Sequence, residues 1–222
     1  MLEIIGSSLK QCIDIEKYGG ERIELVSALH LGGLTPSYGL VKEVLKHVNI
    51  PIVVMLRTHN HGFKYNAEDL LTMKEDAIMF EKLGVKRVVF GALDDNGMPD
   101  MSAVEYVLGS TNLDMVFHRA IDSSRDPVEA LKIIQQNPRI THVLTSGGTS
   151  ENRLAVLKEL KKIATLKIVV GKSITAANAR LFLDELNDVD IHIGTYALKD
   201  SDLEEDIDPK RMEKILEAIK KD

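Results

Sequence analysis

Phe117-His118-Arg119-Ala120-Ile121-Asp122 ends an apolar, strand-like run abruptly in an imidazole, a guanidinium and a carboxylate. The same transition recurs at Arg22-Ile23-Glu24-Leu25-Val26-Ser27, Ile52-Val53-Val54-Met55-Leu56-Arg57, Val143-Leu144-Thr145-Ser146-Gly147-Gly148 and Ile191-His192-Ile193-Gly194. Polar groups gathered at the downstream ends of buried strands mark a parallel α/β fold, which places its site there.

Working outward, a unit of short apolar strand, polar or Gly loop and helical-period segment repeats along the whole chain. Strands are predicted near 2–7, 22–27, 51–57, 87–92, 114–119, 141–146, 167–171 and 190–194. Between them, Leu70-Leu71-Met73-Ile78-Met79-Phe80-Leu83, Leu154-Val156-Leu157-Leu160-Ile163 and Met212-Ile215-Leu216-Ile219 carry helical spacing. Thr35-Pro36-Ser37, Asp126-Pro127 and Asp208-Pro209 supply helix starts. Eight βα units imply a TIM-like (β/α)8 barrel, one domain over residues 1–222. An open doubly wound sheet is the alternative, but Gly6-Ser7-Ser8 is not followed by the G-x-G-x-x-G pattern that fold uses for dinucleotides.

Composition narrows the function classes. No apolar run approaches the roughly 18 residues of a membrane span, and Leu2-Glu3-Ile4-Ile5 lacks the pattern of a signal peptide, so the expected location is the cytoplasm. Cys12 is the single cysteine, which excludes an intrachain disulfide and a multi-cysteine metal cage. A net charge of -6 without clustered Lys or Arg argues against nucleic acid. Self-association as a homo-oligomer stays open.

Strand alternation selects the side chains facing the barrel interior. Glu24 is in phase with Val26, Arg57 with Met55 and Val53, and His118 with Val116. Charged groups inside so small a barrel must be paired or serve a site at its mouth. Glu24, Arg57 and His118 are therefore the candidate catalytic residues, expected in one pocket; the plain alternative is that Glu24 bridges to Arg22 or another strand's Arg. His118 would be the acid/base group and Arg119 would brace a loop carboxylate such as Asp122.

Two loops read as an anion site. Ser146, Gly147 and Gly148, followed by Thr149-Ser150-Glu151, offer small residues and free N–H groups ahead of a helix, and Gly171-Lys172-Ser173 adds a cation at the end of the seventh strand. His192, at the end of the eighth strand, completes the candidate ligand-binding set. His59 and His61, with Met55 upstream, form the candidate metal set, since imidazole and thioether are both transition-metal ligands, and His30 would add a ligand if its neighbouring loop folds over.

Arg22-Ile23-Glu24-Leu25, Gly32-Gly33-Leu34-Thr35-Pro36-Ser37, Phe90-Gly91-Ala92-Leu93 with Asn96-Gly97, Phe117-His118-Arg119-Ala120 with Asp122, and Leu144-Thr145-Ser146-Gly147-Gly148 resemble, in order and spacing, the CutC copper-homeostasis family over about residues 2–195. The resemblance implies a TIM-like barrel, a cytoplasmic location and a part in copper tolerance or Cu(I) binding. Family members often carry cysteines where this chain has Ile5 and Val26, so the resemblance implies weaker copper binding here. The stretch Arg57-Thr58-His59-Asn60-His61-Gly62-Phe63 likewise lacks the family's Pro and second Arg. Two functions follow: a cytoplasmic copper-homeostasis protein that binds copper weakly, or an enzyme acting on a small metabolite bearing phosphate or carboxylate at the barrel mouth.

Overall fold

The computed structural model describes residues 1–148, 152–203 and 205–220. Eight parallel strands close into a barrel in sequence order: β1 (Leu2–Gly6), β2 (Arg22–Leu25), β3 (Ile52–Met55), β4 (Arg87–Phe90), β5 (Asp114–Phe117), β6 (Ile140–Thr145), β7 (Lys167–Val170) and β8 (Asp190–Ile193). Every predicted strand is found, with its downstream end trimmed where the polar residues leave the ladder. Closure is made by β1, which pairs with β2 on one side and β8 on the other.

The helices are α1 (Leu9–Lys17), α2 (Tyr38–His47), α3 (Ala67–Leu83), α4 (Met101–Leu108), α5 (Pro127–Ile134), α6 (Arg153–Ile163), α7 (Ala179–Leu186) and α8 (Pro209–Ile219). Their starts are set by local chemistry. Ser37, Asp126 and Asp208 cap α2, α5 and α8 by accepting from first-turn N–H groups, with Pro at the start of the latter two. Asn66 and Asp69 form a reciprocal capping box on α3.

Alternation divides the apolar strand residues into two cores. Leu2, Ile4, Ile23, Leu25, Val54, Val88, Phe90, Met115, Phe117, Val143, Ile168, Val170, Ile191 and Ile193 pack outward in the helix-facing core. Val26, Val53, Met55, Val89, Val116, Leu144 and Val169 fill the barrel interior. The interior phase therefore carries Glu3 and Ile5 on β1, Arg22 and Glu24 on β2, and Asp190 and His192 on β8. Among the described residues, no helix is long and apolar enough to cross a membrane.

Candidate functional site at the barrel mouth

Register alone brings a charged cluster together. Glu3 lies beside Arg22 across the β1–β2 ladder and beside His192 across β1–β8. All three side chains point inward, so Glu3 meets both neighbours: Arg22 Nε donates to Oε2 at 2.5 Å, and His192 Nδ1 lies 2.6 Å from Oε1. The other ring nitrogen, Nε2, is 3.8 Å from Glu24 Oε2. Arg22 also pairs with Asp190 at 3.0 Å, and Asp190 takes the α-amino group of Met1 at 3.3 Å. The expected alternative that Glu24 bridges to Arg22 is thus replaced by Glu3, and Glu24 is engaged by His192.

Burial sets the protonation of this cluster. Burial alone would raise the Glu3 carboxyl, but the His192 hydrogen bond and the charges of His192 and Arg22 hold it down at about 2. Glu24, without an equivalent hydrogen bond, is pushed by burial up to about 7, with Glu3 adding to the shift and His192 opposing it. His192 would be lowered by burial, yet the Glu24 charge and the Glu3 hydrogen bond raise it above the ordinary imidazole value. Glu24 Oε1 has no hydrogen-bond partner among the described residues. A buried carboxyl that titrates near neutrality beside an imidazole that holds its proton more tightly than usual can give or take a proton at physiological pH.

Arg57 and His118 face inward as expected but gather around a different residue. The Arg57 guanidinium lies 5.0 Å over the Phe63 ring, and the His118 ring meets Phe63 edge-on at 4.9 Å. Thr35 clamps the Arg57 backbone, its hydroxyl donating to Arg57 O at 3.0 Å and accepting from Arg57 N–H at 2.8 Å. Gly32 and Gly33 turn this loop at φ 86 and 89, a conformation that suits residues without Cβ. His118 Nδ1 accepts from Ala120 N–H at 3.2 Å, leaving Nε2 buried and without a partner among the described residues. Burial and the neighbouring Arg57 charge push His118 down to about 3, so it stays a neutral ring and does not serve as an imidazolium acid. Contacts join Glu24 to His192, and Arg57 to His118 through the Phe63 ring.

The Ser146-Gly147-Gly148 turn holds an anion that the chain itself supplies. Asp122 accepts from Thr145 Oγ1 at 2.6 Å, Ser146 Oγ at 2.6 Å, Ser146 N–H at 3.0 Å and Gly148 N–H at 3.3 Å. Arg119 Nε completes the arrangement at 3.2 Å from Asp122, as expected for a brace. The Ser146 and Gly148 N–H groups read as part of an external anion site are thus committed to this carboxylate, and the Gly147 N–H to Thr145 Oγ1. Thr149-Ser150-Glu151 lie outside the described residues.

Lys172 and His192 do line a cavity. It has a volume of about 290 Å³ at the ends of β7 and β8, where Arg119, Lys172 and His192 are its charged or imidazole groups and Ser173, Thr175 and Thr195 are among its hydroxyls. Among the described residues, no carboxylate lines it.

The copper set does not converge. His59 Nε2 pairs with Asp69 at 3.2 Å and its Nδ1 accepts from His61 N–H at 3.2 Å, so both ring nitrogens are in use. The exposed His61 ring stacks on His59 at 5.1 Å. Met55 is sealed in the barrel interior among valines, and His30 is exposed in a 3-10 turn at Leu29–Leu31. Cys12 is buried in α1, its thiol raised by burial to about 12 and so unreactive. The one group of three side chains placed for metal among the described residues is Glu3, Glu24 and His192. Two carboxylates and one imidazole, with Glu3 already paired to Arg22, do not make the soft donor set that Cu(I) selects.

Sequence reasoning missed Glu3 and Asp190 as members of the cluster and named Arg22 only as a bridging partner for Glu24. The alternation of Glu3 with Ile5 was the available signal, but the partner that gives it meaning is supplied by β8.

These features define a closed (β/α)8 barrel with a buried carboxyl–imidazole pair below a cationic mouth. The chain belongs to the CutC family, whose model matches residues 1–197. It is 38% identical over 184 residues to a CutC family protein of Treponema denticola, covering 80% of this chain and 74% of the relative. A CutC family protein of Enterobacter sp. is 34% identical over 188 residues, 83% of this chain and 76% of the relative. The crystal structure of CutC from Streptococcus agalactiae, whose name places it in copper homeostasis, superposes with a TM-score of 0.80 at 29% identity, covering 87% of this chain and 97% of that one. Phosphoribosyl anthranilate isomerase of Thermococcus kodakaraensis shares the fold alone, with a TM-score of 0.66 at 12% identity over 100% of this chain and 99% of that one.

Proposed function

We propose that this protein serves copper homeostasis in the cytoplasm and binds copper only weakly. The observation that carries this reading is the match to the CutC family over residues 1–197, joined to the likeness to the S. agalactiae protein named for copper homeostasis. Weak binding follows from the donors: Ile5 and Val26 offer no sulfur, and both ring nitrogens of His59 are occupied. The test is deletion of the gene in its own host. Growth should become copper-sensitive and recover when the gene is restored; copper tolerance unchanged by deletion would overturn the reading.

A second reading, an enzyme acting on a small anionic metabolite at the mouth, is supported by Glu24. A buried carboxyl raised to about 7 beside His192, its Oε1 without a hydrogen-bond partner among the described residues, is costly to keep in a barrel interior, and groups shifted in this way concentrate at catalytic sites. Glu24 would exchange a proton with the ligand, while the Glu3 hydrogen bond favours the charged form of His192 and holds the ring in place. Screening small phosphates and carboxylates for proton exchange at carbon should give turnover that Glu24→Gln abolishes and that the fold survives. Turnover unaffected by Glu24→Gln would reject Glu24 as the acid/base group.

A further inference from the structure

We infer that the cavity at the ends of β7 and β8 is a binding site for a phosphate monoester, its phosphate held by Lys172, Arg119 and the main chain of residues 172–174. This rests on the reading that the mouth takes a small anion, and it specifies which anion and where.

The charges make the first argument. In a chain of net charge -6, this cavity has Arg119, Lys172 and His192 as its charged or imidazole groups and no carboxylate among the described residues of its wall. Arg119 is paired with Asp122 and His192 with Glu3 and Glu24, so the charge left to attract an anion there is that of Lys172. Lys172 makes no ion pair or side-chain hydrogen bond among the described residues, so its charge is available.

The main chain makes the second. Lys172 and Ser173 adopt φ of 63 and 56, left-handed conformations that are costly for residues with a Cβ. Arg153 Nη2 donates to the carbonyls of Gly171 at 2.8 Å and Lys172 at 2.9 Å. In a planar trans peptide the N–H points opposite its carbonyl. Holding those two carbonyls on Arg153 therefore turns the N–H groups of Lys172 and Ser173 away from it, on the side where Lys172, Ser173, Ile174 and Thr175 line the cavity. The N–H groups of Lys172, Ser173 and Ile174 donate to no acceptor among the described residues.

Donor number separates phosphate from carboxylate. A phosphate monoester presents three acceptor oxygens and a charge of about -1.5 to -2, and needs several donors at once. A free ammonium, a guanidinium and successive amides meet that need. A carboxylate is best matched by a bidentate Arg, and Arg119 already spends its Nε on Asp122. The position agrees with the phosphate sites that (β/α)8 barrels build from the loops after their last two strands. The volume, about 290 Å³, leaves room for a short carbon skeleton beyond the phosphate, reaching toward His192.

The test is titration of the 15N-labelled full chain with inorganic phosphate, glycerol 3-phosphate and succinate, followed at the amides of Lys172, Ser173 and Ile174. Both phosphates should shift these amides saturably, glycerol 3-phosphate at lower concentration. Lys172→Met should weaken both by about tenfold and Lys172→Arg should restore binding. Circular dichroism checks that each variant is folded, and Lys172→Arg carries the test should Lys172→Met fail to fold. Phosphates that leave these amides unmoved, or binding indifferent to Lys172→Met, would overturn the assignment. Saturation by succinate alone would overturn phosphate but leave a small-anion mouth standing; silence with all three anions would overturn both.

Discussion

Glu3 Oε1 and His192 Nδ1 lie 2.6 Å apart although 189 residues separate them in the chain. The contact exists because β1 closes the barrel against β8, with Glu3 directly opposite His192 in that ladder. One imidazole thereby faces two carboxylates in different states: Glu3, doubly paired and firmly ionised, and Glu24, unpaired at Oε1 among the described residues and held near neutrality.

Replacing Glu3 by Gln removes a buried charge that both Arg22 and His192 use. The expected loss is about 3 kcal/mol of stability, the scale for breaking a buried ion pair from one side. The pH dependence has a definite sign. The carboxyl is lowered from 4.5 to about 2 on folding, so its contribution is complete above pH 4.5 and disappears as the pH falls toward 2. Urea midpoints should drop along that acid limb in the parent protein and less steeply in Glu3→Gln; parallel limbs would show that Glu3 is not the linked group.

Glu24 has the opposite linkage. Its carboxyl is raised from 4.5 to about 7 on folding, so the native state favours the protonated form and stability declines as the pH rises through that window. A tenfold change in proton affinity corresponds to about 1.4 kcal/mol, so the decline amounts to a few kcal/mol. His192, raised on folding, contributes in the same sense, its stabilisation being full below the ordinary His value and lost as the pH rises through its folded value. Glu24→Gln should flatten the dependence between pH 4.5 and 7, read from urea midpoints across that range. A slope equal to that of the parent would contradict the assignment.

His118, lowered to about 3, should remain neutral and carry its proton on Nε2, since Nδ1 accepts from Ala120 N–H. Imidazole 15N shifts followed from about pH 5 to 8 should be flat for His118. A titration near the ordinary His midpoint would show that Arg57 and burial do not control this ring.

Asp122→Ala leaves Thr145, Ser146 and Gly148 without the carboxylate they share. The expected cost is about 2–4 kcal/mol, because several donors lose a charged acceptor together. Amide exchange at Ser146 and Gly148 should accelerate more than exchange in β2 or β3. Uniform acceleration across the barrel would mean that Asp122 supports the whole fold and not this turn.

Copper affinity, measured by chelator competition at neutral pH, should be the same for the parent and for His59→Ala/His61→Ala, since His59 is committed to Asp69 and to the His61 N–H. A tenfold loss in the double variant would return copper to that loop.

Much of this architecture was legible in the residues because a parallel strand buried on both faces has a simple pattern. The runs Ile52–Met55 and Arg87–Phe90 could be placed, and the inward phase of Glu24, Arg57 and His118 follows from alternation with Val26, Met55 and Val116. Pairing was not legible. Which inward group meets Glu24 depends on the register between strands far apart in sequence, and alternation carries no register. Asp122 shows the same limit: its link to Arg119 is local and was readable, whereas its bonds to Ser146 and Gly148 span 24 and 26 residues and depend on how two loops meet. The His59–His61 spacing suggested a chelate, but the geometry of one loop turned His59 onto Asp69.

The closing of β1 on β8 also bears on when in folding the interior cluster is completed. Contacts of such long sequence separation form late, since loop-closure entropy must be met before they return anything. Until the eighth strand docks, Glu3 has Arg22 but no imidazole, and Glu24 lacks the imidazole that tunes it. The carboxyl–imidazole pair is therefore an emergent property of the finished ring, and its titration would report ring closure in a refolding experiment independently of helix content.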